Sequence, residues 1–414
     1  MADTLSTPPR RVLIWHVGWH KTGTTSIQNF FKQNQTQLLR EAGLLYPSTG
    51  LHGAGHHDLA RSLWPGQPED PELWQRLGDE LRGVDGWRTA LISGEGLRWA
   101  DPARLAALAE AVDVGPCDVR LMAYVRPPDL LVESLFAQQL KGGLWKGTFA
   151  GFAGHCRETG EPDYPGQLAV WQRQFPDATT VVRPFSPSQW PEGDLIRDFC
   201  RAAGREDVIG LEGLRLPEAV NRSPGPEMLS LVRELNRGLG DERRAHAAWG
   251  FGQLLEDLER RPCPATINDG KAHFFSPEQR RALRAEHEPA FRHLGIDFGA
   301  EYAQLPGSEG GELPEFGELP AERRLVLLEH TLQTAVLTLD RVCAQLEDSQ
   351  SRCDRLAGDF RQEKQRREAL EREHQQLVRR HREVSRQYAR TWRRRMVDLR
   401  AWWRRWRKGA PDAA

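Results

Sequence analysis

A short segment near the start of the chain combines the residue types that bind an oxyanion. An apolar run from Val12 to Val17 stops at Gly18, and Gly23 follows after four intervening residues, one of which is Lys21. A strand, a glycine loop and a helix start direct backbone N–H groups at one point, where the positive end of the helix dipole adds to them. The segment therefore predicts a site for a phosphate-like anion.

The loop differs from the nucleotide P-loop in one position. Its glycine spacing matches G-x-x-x-x-G-K-[ST], but Thr24 stands where the lysine should be and Thr25 takes the Ser/Thr place. The lysine lies inside the loop, at Lys21, from where it can reach an oxygen of a diphosphate-like group. The hydroxyls of Thr24, Thr25 and Ser26 add donors. The simpler alternative is a glycine-rich turn before an ordinary helix.

Charged side chains follow two further predicted strands. Glu95 comes after the run Ala90 to Ser93, and Arg126 comes after Val119 to Val125, with Ser134 in the next predicted helix. Open α/β sheets bind ligands beyond the carboxyl ends of their strands, and arginine suits phosphate through its forked donors. The pattern favours a phosphate site at Arg126 and Ser134. In the alternative interpretation, Arg126 is a surface arginine, Ser134 is a buried helix serine and Glu95 is a salt-bridged glutamate.

The loop segment HVGWHKTGTTSIQ resembles the 5′-phosphosulfate loop of sulfotransferases that use 3′-phosphoadenosine-5′-phosphosulfate (PAPS). Those loops read PKTGTT or PKSGTT after a strand, and His20 here replaces the proline before the lysine. A strand-end arginine followed by a serine eight residues later, as at Arg126 and Ser134, is similar to the family's 3′-phosphate motif. The resemblance covers roughly residues 10 to 300 and is most specific in the first 140.

The resemblance implies an α/β, P-loop-like three-layer fold with a central parallel sheet flanked by helices. It implies transfer of a sulfuryl group from PAPS, released as PAP, to a carbohydrate hydroxyl, in particular on a cell-surface glycan, without a metal. Glu95 lies in the like position to a catalytic glutamate of several glycan sulfotransferases, which makes it the expected general base; His20 and His57 are the alternatives. The residues expected to bind PAPS are Lys21, Thr22, Gly23, Thr24, Thr25, Ser26, Arg126 and Ser134.

Other readings of these residues stay open. A kinase on the same fold would need a lysine at position 24 and a Mg²⁺-binding acidic motif, and a non-catalytic PAP-binding scaffold would act through the C-terminal region. His52, His56 and His57 cluster, but their spacing does not match a metal site. Arg183, at the end of another predicted strand, is either a further site residue or one half of a structural ion pair.

Composition indicates a cytoplasmic protein. The formal net charge of the 414-residue chain is −1, and its six cysteines are scattered without a CxxC pair, as expected of reduced thiols. The first residues lack the apolar core of a secretory signal, and no run approaches the roughly 20 apolar residues of a membrane span. Lys141 to Gly160, which is rich in glycine, is predicted to be an active-site loop.

The sequence divides into segments of different character. A linker is predicted where Pro, Gly and Glu predominate, and the segments beyond it are helical and then basic. The predicted segments are a disordered N-terminus at 1–10, a sulfotransferase domain at 11–303, a linker at 304–320, a coiled coil at 321–390 and a basic Trp/Arg-rich tail at 391–414.

A heptad pattern predicts that the coiled coil associates copies of the chain, with a solitary charged helix as the alternative. Ser349, Glu363 and Arg367 interrupt the pattern. Its a positions are Leu325, Leu332, Leu339, Leu346, Cys353 and Phe360, and its d positions are Leu328, Ala335, Val342, Leu356, Leu370, Leu377 and Val384.

The tail mixes arginines with tryptophans, including Trp392, Trp402, Trp403 and Trp406. Such a helix suits an anionic membrane surface, because tryptophan lies at the interface and arginine meets the headgroups. Nucleic acid is the less favoured partner, since the tail also resembles the SWRxTxPLR ending of bacterial glycosyltransferases that build surface polysaccharides. A helix that binds a protein partner, or one that is merely solvated, is the simpler alternative. Peripheral contact with the inner face of the membrane is the expectation.

Overall fold

The computed structural model describes residues 10–217, 225–238, 254, 257, 273–299 and 311–408. Beyond residue 386 it describes only the backbone of the C-terminal helix. Three predicted segments lie wholly or partly outside the described residues. They are the disordered N-terminus at residues 1–9, the first part of the linker, and the end of the tail from residue 409.

A parallel sheet of five strands forms the centre of the described structure, in the order β2-β3-β1-β4-β5. The predicted α/β class with a parallel sheet is confirmed. β1 is central, with β3 and β4 as its two neighbours. The strands are β1 (Arg11–Val17), β2 (Leu44–Leu45), β3 (Thr89–Gly94), β4 (Cys117–Val125) and β5 (Thr179–Pro184).

Helices connect the strands and cover both faces of the sheet. Along β1, Leu13, Trp15 and Val17 join one buried cluster and Ile14 joins the other, as alternation in a strand requires. The helices are α1 (Thr24–Ala42), α2 (His57–Ser62), α3 (Pro71–Gly83), α4 (Pro102–Ala111), α5 (Pro128–Lys141), α6 (Phe149–Glu158), α7 (Tyr164–Gln174), α8 (Leu195–Ala202), α9 (Glu206–Ile209), α10 (Pro226–Gly238), α11 (Pro277–His293) and α12 (Ala321–Lys408).

The loops after β1 and β4 leave the sheet in opposite directions. The chain passes from β1 towards β2 and β3 on one side, and from β4 to β5 on the other. In open α/β sheets such a change of direction opens a crevice beyond the carboxyl ends of the two strands, where ligands bind. The topology therefore brings the Lys21 loop and Arg126 to the same edge.

The prediction of a loop over Lys141 to Gly160 is wrong in its second half, where α6 forms. Phe149, Phe152 and Cys156 are buried at helical spacing, and the Thr148 hydroxyl caps the helix by accepting from the Gly151 N–H at 3.2 Å. Burial of an apolar face outweighs the low helix propensity of the glycines.

A buried ionic network joins α11 to α5, the helix that carries Ser134. Arg280 donates to Asp129 at 2.7 Å and to Glu133, and all three side chains are at most 5% exposed. Glu133 also accepts from the backbone N–H groups of Phe274 and Phe275. Arg284 donates to Asp129 as well, at 3.1 Å, so two carboxylates meet two guanidinium groups and the desolvated charges compensate one another.

Residues 311–320, the second part of the expected linker, belong to the first compact unit of the chain. Leu313 and Leu319 are buried, and the Gly311 N–H donates to the Phe274 carbonyl at 2.9 Å. The chain divides into compact units at 1–335 and 336–414, and α12 begins in the first and continues through the second. The predicted long C-terminal helix is confirmed. Among the described residues, no helix carries an apolar stretch long enough to cross a bilayer.

Replacing Arg280 by alanine should strongly destabilise the domain. The substitution leaves buried Glu133 without a guanidinium and removes one of the two guanidinium groups that pair with Asp129, which keeps Arg284. Breaking a buried pair in this way costs about 3–5 kcal/mol. Urea unfolding of the variant followed by tryptophan fluorescence measures the loss. Arg281→Ala, a change at the adjacent exposed arginine, is the matched control and should unfold like the wild type. Equal stability of the two variants would contradict a structural role for the network.

Candidate functional site

The loop between β1 and α1 has a tight backbone that its glycines make possible. Gly23 has φ of 76°, and a Cβ there would lie 2.3 Å from Leu195. A Cβ on Gly18 would lie 2.4 Å from the Thr24 methyl group. Lys21 itself has φ of 62°, a left-handed conformation that costs a non-glycine residue energy and is often found at functional sites.

The start of α1 leaves N–H groups available to a ligand. Gly23 is the N-cap of this 19-residue helix, and no side chain of the described residues caps it. The first N–H groups of a helix have no intrahelical acceptor, and they carry the positive end of the helix dipole. The N-terminus of α1 therefore attracts an anion.

The hydroxyls of the loop differ in what they contact. Thr22 donates to the Trp19 carbonyl at 2.7 Å, and Thr24 donates to a carboxylate oxygen of Glu95. Thr25 is exposed and Ser26 is half-buried. Thr22 and Thr24 thus hold the loop in shape, which leaves Thr25 and Ser26 as the hydroxyls placed to meet a ligand.

Arg126 lies against the same loop. Its Nη1 donates to the Ser134 hydroxyl at 2.8 Å and to the Lys21 carbonyl at 3.3 Å. The Tyr164 hydroxyl donates to the Arg126 carbonyl at 2.8 Å and fixes the backbone at the strand end. The predicted residues from two distant segments therefore lie together.

Within the ranges that the structure describes, no carboxylate forms an ion pair with Arg126. Burial lowers the pKa of Arg126, which nonetheless stays a cation because arginine does not deprotonate in proteins. A largely buried cation without a carboxylate partner is costly unless a ligand supplies the negative charge. The arrangement fits an anion with at least two oxygens.

Glu95 lies at the carboxyl end of β3 and joins a second cluster at the same edge. One carboxylate oxygen is 2.6 Å from Nδ1 of His20, and the other accepts the Thr24 hydroxyl. Burial by itself would raise the pKa of Glu95, but the hydrogen bond and charge of His20, with the Thr24 hydroxyl, outweigh it and lower the pKa to about 2. Glu95 is therefore ionised, with both oxygens engaged.

Two other candidates from the sequence have structural partners. Arg183 pairs with Asp198, which also accepts the Tyr124 hydroxyl at 2.7 Å, so the ion-pair alternative describes it. His56 is buried and its Nε2 lies 3.0 Å from the Pro47 carbonyl. In the described part of the chain, no group of three His, Cys, Asp or Glu side chains could hold a metal ion. Asn221, Arg222 and Ser223 resemble a segment of the PAPS-dependent sulfotransferases and are expected to close over the nucleotide; they lie outside the described residues.

Sequence reasoning did not select Tyr164 and gave His20 only as an alternative base. Tyr164 follows a proline-rich turn at the start of α7, and nothing in its sequence context indicates a contact with Arg126. His20 stood out as a departure from the proline usual before the lysine. Its pairing with Glu95 joins residues 75 positions apart, which only the fold brings together.

Comparison with known proteins gives a single partial similarity to report. The chain is 27% identical over 183 residues to an uncharacterized protein of Archaeoglobus fulgidus, a match that covers 42% of this chain and 45% of that protein. The chain thus spans less than half the length of that relative. No family model matches the chain, and no solved structure matches it.

Glu95→Gln should weaken the fold at neutral pH but matter less in acid. A carboxyl whose pKa falls from 4.5 to about 2 on folding stabilises the protein above pH 4.5, and this contribution is lost as the pH falls towards 2. We expect the variant to lose about 2 kcal/mol at pH 7, less at pH 3.5. Urea unfolding across this range measures it.

Glu72→Gln, at an exposed carboxylate on α3, controls for general charge effects and should follow the wild type at each pH. A stability gap between wild type and Glu95→Gln of the same size at pH 3.5 and pH 7 would contradict the lowered pKa.

Proposed function

We propose that the protein is a PAPS-dependent sulfotransferase that moves a sulfuryl group to a carbohydrate hydroxyl. One observation carries the proposal: Arg126, without a described carboxylate partner, contacts both Ser134 and the backbone of Lys21. The Lys21 loop follows β1 and Arg126 follows β4, so two groups that can bind an anion lie at the one crevice between these strands. A nucleotide with phosphate at two ends matches that arrangement, as the family resemblance leads us to expect.

The 3′-phosphate is assigned to Arg126 and Ser134. A guanidinium and a hydroxyl 2.8 Å apart can donate to different oxygens of one phosphate. The buried network at Arg280 fixes α5 and so fixes Ser134 relative to the sheet. This contact separates PAPS from nucleotides that lack a 3′-phosphate.

The 5′ end of the donor is assigned to the loop from Lys21 to Ser26. In the reaction, an oxygen of the acceptor attacks sulfur, the bond between sulfur and the 5′-phosphate oxygen breaks, and that oxygen keeps the electron pair. Lys21, the N–H groups at the start of α1 and the exposed Thr25 hydroxyl can stabilise this growing negative charge. The proton of the acceptor hydroxyl must go to a base at the same edge, where Glu95 and His20 lie.

A kinase activity on the same fold is the rival. The strand, loop and helix arrangement supports a P-loop-like fold, with its site at the crevice beside β1. In a kinase, position 24 would hold a lysine for the phosphates, but Thr24 donates its hydroxyl to Glu95. This point favours sulfuryl transfer over a kinase. A non-catalytic PAP-binding scaffold would use the same Arg126 contact, so it is measured transfer of the label, and not PAP binding, that separates it from the enzyme.

A location and an assembly also belong to the proposal, and the C-terminal helix supports the assembly. We place the catalytic domain in the cytoplasm, with chains associated through a coiled coil in α12. The basic tail at 391–414 then contacts the inner face of the membrane, where surface glycans are built on lipid carriers. Incubation with sulfur-labelled PAPS and fractionated envelope glycans, followed by locating the label, tests the acceptor class.

Arg126→Ala should weaken binding of PAP selectively. Loss of the charged donor to the 3′-phosphate is expected to reduce PAP affinity by about tenfold to a hundredfold. Adenosine 5′-phosphate, which lacks that group, should bind wild type and variant alike. Isothermal titration of both nucleotides measures the difference, and Arg173→Ala, at an exposed arginine of α7, is the control.

Lys21→Ala should remove most transfer activity.

Two outcomes would overturn the assignment. One is an equal effect of Arg126→Ala on both nucleotides, which would take Arg126 away from the 3′-phosphate. The other is tighter binding of ATP than of PAP by the wild type, which would favour the kinase.

A further inference from the structure

We propose that Nε2 of His20 is the general base that takes the proton of the acceptor hydroxyl, and that Glu95 is the residue that positions it. The inference rests on the proposed function and changes the role that the sequence gave to Glu95. It follows from the geometry of the His20 and Glu95 pair.

The hydrogen bond to Glu95 decides which nitrogen of His20 is free to act. Nδ1 lies 2.6 Å from the carboxylate, so Nδ1 carries the proton and donates it to Glu95. In the neutral ring the lone pair is then on Nε2, and no described residue donates to it. The side chain is 22% exposed, which leaves a path for a hydroxyl.

The ring is held beside the anion-binding loop. His20 directly precedes Lys21, and its ring centroid lies 5.6 Å from that of Trp99, at the end of the short helical turn that Glu95 begins. Glu95 is itself fixed by the Thr24 hydroxyl at the start of α1. The base is thus tied to the element that binds the donor, as in-line transfer requires.

Glu95 is poorly suited to accept the proton itself. Both of its oxygens already accept hydrogen bonds, and these bonds stabilise its ionised form, which makes Glu95 a weak base. When Nε2 takes the proton, the imidazolium that forms lies against an ionised carboxylate, which stabilises it. His20 thus accepts the proton, and the buried carboxylate of Glu95 orients its ring. After transfer, the imidazolium returns the proton to water.

Fully buried His16 and half-buried His57 also interact electrostatically with this carboxylate, and the more accessible of the two is His57. It starts α2, is half-buried, and burial lowers its pKa. Exposed His52 and Arg61 lie beyond it and interact with it electrostatically. In the described part of the chain no hydrogen bond joins His57 to Glu95, so His57 lacks the orienting contact that His20 has.

His20→Gln should lower turnover of labelled PAPS on envelope glycans by about 10²- to 10⁴-fold, the range for loss of a general base. PAP affinity measured by titration should change less than twofold. Added imidazole should restore part of the activity of His20→Gly but not of His20→Gln. Glu95→Gln should lose less turnover than His20→Gln. The loss in His57→Gln should be less than tenfold, and exposed His52→Gln should keep full turnover.

Nitrogen-15 NMR of the PAP complex gives a second readout that does not need the acceptor. We expect His20 as the Nδ1–H tautomer in the wild type and a mixture of tautomers in Glu95→Gln. A wild-type Nε2–H tautomer, a larger loss in His57→Gln than in His20→Gln, or full activity of His20→Gln would each overturn the proposal. Failure of the wild type to bind PAP would overturn the proposed function instead.

An independent observation concerns α12 beyond residue 335. Six apolar a and d positions of the heptad face solvent there, with 58–73% of each residue exposed. An exposed apolar stripe of this length in one helix is typical of an interaction surface. The residues of this stripe are Leu339, Leu346, Leu356, Phe360, Leu370 and Leu377.

We infer that a second copy of the chain covers this stripe in a parallel, in-register pair. The flanking charges decide the orientation, because parallel chains bring each g position beside the e position five residues later. Asp359 then meets Lys364 and Arg366 meets Glu371, which are opposite charges. An antiparallel pair with Phe360 against Leu370 would instead bring Asp359 beside Glu373.

The a position Cys353 reports the orientation directly. In a parallel pair the two Cys353 side chains face each other, so mild oxidation of full-length Cys343→Ser should give a disulfide-linked dimer. Cys353→Ser should not form it, and light scattering should find a dimer that Leu356→Glu dissociates. A wild-type monomer would overturn the pairing, and a dimer that fails to crosslink through Cys353 would overturn its orientation.

Discussion

The contact between Arg126 and the Lys21 carbonyl joins two loops whose residues lie 105 positions apart. It exists because β1 and β4 are neighbours in the sheet and their following loops turn in opposite directions. A largely buried guanidinium needs negative charge, and the described protein supplies hydroxyl and carbonyl oxygens but no carboxylate. The rest of the site is arranged around that requirement: Ser134 on one side, and the start of α1 on the other.

Much of the fold serves to hold these groups still. The Arg280 network fixes α5, and Tyr164 fixes the backbone of Arg126. Glu95 ties the end of β3 to the loop through His20 and Thr24. Each of these contacts is a buried or charge-assisted hydrogen bond, so the proposed nucleotide would find groups that are already ordered.

The pairing of Glu95 with His20 explains why a glutamate at a strand end need not be the group that accepts a proton. Hydrogen bonds that stabilise the ionised form of Glu95 also weaken it as a base. The histidine that donates to it gains an oriented ring and a stabilised charged form. A carboxylate and an imidazole together can therefore accept a proton near neutral pH better than either group alone.

The sequence alone determined the parallel α/β class, the glycine loop with Lys21, the strand-end positions of Glu95 and Arg126, and the long C-terminal helix. These follow from local patterns: apolar runs, glycine spacing and heptads need only near neighbours in the chain. Tertiary structure decided that Arg126 touches the Lys21 loop, that Thr24 is engaged by Glu95, that Arg183 is a structural ion pair, and that a helix replaces half of a predicted loop. Those outcomes depend on contacts between distant segments, which only packing of the sheet and its helices brings into range.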